Sequence, residues 1–206
     1  MTEIAHEEVA GHVEHESTGV ENRKLGMWLF LSSEFLFFGA LITNYLLFSH
    51  RTGFDIYPAG IYDIPFTSVS SFVLLMSSLT MVLAHNAQSR QDHRQTRTWL
   101  FATATLGSIF LAGQVFEFTE FVVRDGMKLT SNPVASAFYV LTGFHGTHVA
   151  IGVIMLLSLW GISRTRGSLS DRRGLNLELV GLYWHFVDII WIVIFTVVYL
   201  ISASGV

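Results

Sequence analysis

The chain has 206 residues, 51% hydrophobic and only 14% charged, where an ordinary soluble domain carries about a quarter charged residues. That deficit excludes a disordered chain, a nucleic-acid binder and an ordinary cytosolic enzyme. The net charge is −4 and there is no cysteine, so disulfides, thiolate metal sites and cysteine nucleophiles are excluded too.

Residues 1–22 hold six glutamates and no basic residue, leaving ten acids against twelve bases in the rest. With His6, His12 and His15 among the glutamates, this tail could sequester metal, but its composition fits a solvated, disordered or peripheral terminus better. It lacks the basic and apolar regions of a signal peptide.

A hydrocarbon core about 30 Å thick requires about 20 apolar residues in a helix. Within residues 23–206 five stretches reach that length: 25–48, 66–86, 98–123, 134–163 and 175–202. None contains Lys or Arg. The expected fold is therefore all-α, a polytopic membrane protein built as a bundle of five transmembrane helices. Nine basic residues fall on one side (Arg23, Lys24, Arg90, Arg94, Arg97, Arg164, Arg166, Arg172, Arg173) and three on the other (Arg51, Arg124, Lys128). The basic side is cytoplasmic, which predicts a cytoplasmic N-terminus and a C-terminus outside.

Pro58, Pro65 and Pro133 lie in loops or at span edges. Unbroken spans, odd in number and without an internal repeat, argue against a carrier built from broken helices. Gly143, Gly146 and Gly152 are expected to permit close helix packing. Trp28, Tyr57, Tyr62, Trp99, Trp160 and Tyr199 are expected at headgroup depth, and Trp184 and Trp191 between helices.

The buried polar residues carry the functional signal. Glu34 falls about 14 Å into the first span, where an ionised carboxylate is costly. It should face protein and stay protonated, either to handle protons or to bond across a helix interface. His145 and His148 share a helical face at a spacing of three, as do His185 and Asp188 at mid-span and Glu117 and Glu120 nearer the outer surface. Glu178 opens the fifth span. Asp188 is the nearest candidate acceptor for His185. A di-iron centre would need Glu-x-x-His on two helices, and no span contains that motif. Two histidines could still clamp a haem. These patterns leave open a non-catalytic subunit of an energy-converting complex or an independent membrane metalloenzyme or proton channel.

Four runs narrow the choice: GMWLFLSSEFLFFGALI around Glu34, QVFEFTEF from Gln114, TGFHGTHVAIG from Thr142, and YWHFVDIIWIVIFTVVYL from Tyr183. In this order they resemble subunit III of haem-copper terminal oxidases, in its five-helix form. The resemblance implies an accessory subunit of a proton-pumping oxidase of aerobic respiration, in a bacterial-type plasma membrane. It implies no catalytic residue, metal or cofactor in this chain, with haem and copper in partner subunits. The implied partners are subunit I, with extra C-terminal helices, subunit II, and structural phospholipids.

By the same matching, Glu34 and His148 line a lipid-binding interior and Lys24 meets a lipid phosphate. His145, Glu117, Glu120, Glu178, His185 and Asp188 are matched to polar positions within the bundle. Longer relatives have two further helices before the Ser-Glu helix, so a lipid cleft here would be open or completed by another chain. The glutamate of SSEFLFF inclines the donor toward cytochrome c rather than quinol.

Overall fold

The computed structural model describes residues 22–49, 62–166 and 171–201, which are helical almost throughout. The helices are α1 (Asn22–Ser49), α2 (Ile64–Ser89), α3 (His93–Val123), α4 (Pro133–Arg166) and α5 (Asp171–Ile194). The last continues through π-helical turns over Phe195–Ile201. All five are long and apolar enough to cross a membrane, and no strand occurs among the described residues. The tail histidines, Arg51, Tyr57 and Pro58 lie outside the described residues.

Each helix starts earlier than its apolar stretch. The 31 residues of α3 extend about 46 Å at about 1.5 Å per residue, well beyond the hydrocarbon core. Arg94, Arg97 and, on α1, Arg23 and Lys24 therefore sit on helical turns that reach headgroup depth. Local signals set the starts. Asp63 and Asp92 accept the backbone N–H of Phe66 and Gln95 at 3.1 and 3.0 Å, and Asn132 accepts that of Ala135 at 2.7 Å. Proline follows in the first turn of α2 and opens α4, where its missing N–H leaves nothing unsatisfied. The α2–α3 turn is only Arg90–Asp92, and Gln91 closes it at φ 58°.

The helices α2 and α3 form the most extensive pair, α5 packs on α1, α2 and α4, and α1 leans chiefly on α4 and α5. Only 11% of the most apolar part of α1 is buried, against 44% in α5. α1 is thus a peripheral helix and α5 a central one. Trp184 and Trp191 are buried between helices as expected, and their indole N–H groups bond Ser77 and Ser71 at 3.0 and 2.8 Å. A buried indole can only donate, so the α2 serines supply the acceptors it needs.

Close approach of helices depends on glycine at particular places. A Cβ on Gly107 or Gly152 would lie 2.5 or 2.7 Å from the Trp184 ring, and one on Gly146 would lie 2.6 Å from Gln114. Gly143 departs from expectation, because nothing lies within 4 Å of its missing Cβ. Burial divides the aromatic residues near the span ends. Trp28, Trp99 and Trp160 are at the surface or half-buried, but Tyr62 and Tyr199 are in the core. Their phenols serve a buried network that the distance from the span ends does not reveal.

Candidate functional site

Glu34 is the thirteenth residue of the 28 in α1, close to mid-membrane. It faces His148 of α4, with Oε2 and Nε2 3.2 Å apart and both side chains mostly covered. The other ring nitrogen, Nδ1, lies 2.8 Å from the Phe144 carbonyl. A carbonyl can only accept, so Nδ1 carries a proton, and the contact between Nε2 and Oε2 holds exactly one more. The pair is either a carboxylic acid donating to a neutral imidazole or a carboxylate paired with an imidazolium. Tyr183 completes the frame by donating to the His148 carbonyl at 3.0 Å.

His145 lies one turn away, fully buried. Trp191 stacks on it at 4.9 Å, and the rings of Phe38 and Phe110 approach edge-on. Neither ring nitrogen has a hydrogen-bond partner among the described residues. Phe38 also touches His148 at 5.0 Å, so one phenyl ring of α1 contacts both histidines.

Glu117 is buried on α3, where it accepts from Thr67 at 2.7 Å and from Tyr199 at 3.2 Å. Tyr62 packs against Tyr199 with ring centroids 4.5 Å apart, and its hydroxyl lies 3.4 Å from that of Tyr45. Burial, with Tyr45 and Tyr199 close by, pushes the Tyr62 phenol well above its ordinary value, so it stays neutral. Glu120 does not belong to this interior. It turns outward and pairs with Arg124 at 2.6 Å, one turn along the same helix, because a carboxylate that close to the helix end is held by the nearest cation.

Two further expectations change in the same way. Lys24 Nζ lies 2.7 Å from Glu178 Oε1 with both side chains about one-third exposed, so it has a carboxylate partner and Glu178 sits at the bundle's end rather than inside it. His185 does not bond Asp188 directly. Its Nδ1 lies 3.0 Å from the Ser78 hydroxyl, and Ser78 is close enough to Asp188 to act on its carboxyl group.

The sequence reading overlooked Thr67, Ser78, Tyr183 and His85, which all lie near these groups. Each is an ordinary residue for a membrane helix, and only knowledge of which helices adjoin singles it out. Among the described residues no three His, Asp or Glu side chains are grouped as a metal site.

Residues 2–203 match the family model described as cytochrome c oxidase subunit III. The chain belongs to the cytochrome c oxidase subunit III family. Subunit III is a component of a haem-copper terminal oxidase, and haem and copper reside in other subunits. The chain is 37% identical over 191 residues to cytochrome c oxidase subunit 3 of Bacillus sp. (strain PS3), covering 90% of this chain and 88% of that one. It is 38% identical over 197 residues to the protein of the same name from Synechocystis, covering 94% and 80%. The probable quinol oxidase subunit 3 of Staphylococcus saprophyticus is 32% identical over 200 residues, covering 91% and 96%. Relatives of this subunit III thus carry the names of both kinds of oxidase.

Proposed function

We propose that this chain is an accessory, non-catalytic subunit of a proton-pumping oxidase that takes electrons from cytochrome c rather than quinol. It resides in a bacterial-type plasma membrane with its N-terminus in the cytoplasm. Residues 23–206 act as one transmembrane unit, and the acidic tail of residues 1–22 is peripheral to it. It packs on subunit I, within reach of subunit II, binds phospholipid, and sustains proton uptake by the catalytic subunit. Glu34, His148 and His145 form the interior that these roles use, with Glu178, His185 and Asp188 along α5 and Lys24 of α1 beside Glu178.

The observation that carries this reading is the contact between Glu34, near the middle of the most exposed helix, and His148 of α4. On its other flank, α1 borders a groove of about 530 Å³ with α5, lined by Trp28, Phe35, Leu36, Phe186 and Ile189. Such a face suits acyl chains and apolar helices of a neighbouring subunit. The preference for cytochrome c rests on the glutamate of SSEFLFF.

Two measurements test the proposal. A tagged chain should bring down a haem-containing subunit and a copper-binding partner, and the complex should oxidise reduced cytochrome c in preference to a quinol. Glu34→Ala should leave the haem spectrum intact and shorten the time for which the complex sustains turnover. Loss of the haem spectrum, or one equivalent of iron or copper in the isolated chain, would replace the accessory role with a ligand role.

A further inference from the structure

The helices α2 and α5 run antiparallel in one register. Ser71 meets Trp191, Ser77 meets Trp184 and Ser78 meets His185, so an advance along α2 is matched, to within a residue or two, by a retreat along α5. Gly181 obeys the same register, with Met81 against it. Continuing it brings His85 level with Glu178. Those two residues and His185 line a cavity of about 240 Å³ between the helices, walled by Met81, Val82 and Gly181. Lys24 of α1 holds Glu178 at the end of the bundle. From there His185 and Ser78 lead inward to Asp188, which is 5% exposed and whose Oδ1 has no hydrogen-bond partner among the described residues; the next polar group along the seam, Ser71, has its hydroxyl committed to the Trp191 indole and the Thr67 carbonyl. Asp188 is fourteenth of the 27 residues in its span, at mid-membrane. Beyond it the register reaches Leu74 and Trp191, both buried and packed in the apolar core.

We infer that this seam is a dead-end proton store, in which water in the α2–α5 cavity exchanges protons with Asp188 through His185 and Ser78. The inference goes beyond the accessory role and rests on geometry separate from the Glu34–His148 pair. The cavity has room for several waters, at about 30 Å³ each; its titratable lining comes from His85 on α2 and Glu178 and His185 on α5, and Lys24 on α1 pairs with Glu178.

In the inward step, His185 Nε2 accepts a proton from a cavity hydronium, leaving water. Nδ1 releases its own proton to Ser78 Oγ, and the Ser78 hydroxyl proton passes to the Asp188 carboxylate. The serine and the imidazole end neutral, the imidazole in its other tautomer, and the aspartate ends as a carboxylic acid. A hydroxyl that donates and accepts at once is required at the middle position, and Ser78 supplies it. A proton lodged at mid-membrane has crossed part of the transmembrane field, so the filling of the store couples to membrane potential.

The test uses the full chain in liposomes and follows the infrared C=O band of protonated carboxyl groups during transfer into D₂O. Asp188→Asn should remove one band that Glu34→Gln leaves in place. His185→Phe and Ser78→Ala should each slow the deuterium shift of that band at least tenfold, with helix content unchanged by circular dichroism. A band set unaltered in Asp188→Asn, or equal exchange rates in wild type and both relay variants, overturns the store. Proton flux through the liposome wall that Asp188→Asn abolishes would overturn the dead end. None of these readouts depends on partner subunits, so failure to co-purify with an oxidase would strike the accessory role alone.

Discussion

Gly107 and Gly152 show how a single missing methyl group organises this bundle. Both lie against Trp184, and a Cβ at either would sit inside the ring's contact distance. Gly39, on the peripheral helix, has nothing within 4 Å of its missing Cβ. Gly107→Ala and Gly152→Ala should each destabilise the chain by about 1–3 kcal/mol through overpacking. Gly39→Ala should be neutral or stabilise by up to about 1 kcal/mol, because alanine is the better helix former. Thermal unfolding of the three variants in one detergent checks the contrast. Glu34 and His148 follow a related logic: neither needs a metal or water, since each satisfies the other.

At the scale of elements, the π-helical end of α5 and the start of α2 close on one carboxyl group. Thr67 and Tyr199 both donate to Glu117, joining α2, α3 and the last turns of the chain. Removing a donor leaves a buried oxygen short of a partner, at a cost of about 1–3 kcal/mol. Tyr199→Phe should therefore lower stability by that amount. Glu117→Gln should cost at least as much, because its amide oxygen can accept from only one of the two hydroxyls and its NH2 group faces the other. Guanidinium or heat titrations of the two variants decide between this ordering and its reverse. Its place near the end of the fifth span marks Tyr199 as an interfacial residue, and only the packing of neighbouring helices shows that its phenol is buried against Glu117.

For the whole molecule, five crossings put the two ends of the chain on opposite sides of the membrane, and the distribution of Lys and Arg predicts which is which. The absence of cysteine makes this directly measurable. In intact cells an impermeant thiol reagent should label Lys128→Cys, in the α3–α4 connection, and should reach Gln91→Cys, in the α2–α3 turn, only after the membrane is broken. The opposite pattern would invert the orientation and put the Lys24–Glu178 mouth of the α2–α5 seam outside.

The five helices, their order and the family were readable from the amino acids alone, because a span of oil demands an unbroken apolar run and the polar exceptions within it are few. His145 and His148 could be placed on one helix face by their spacing. Which helix that face would meet could not, since the sequence holds no distance between α1 and α4. Tertiary structure alone decided that Glu34 meets His148, that Glu120 turns to Arg124 and Lys24 to Glu178, and that Ser78 stands between His185 and Asp188. A buried polar group takes whichever partner packing brings within about 3 Å, and between separate helices the antiparallel register determines that partner.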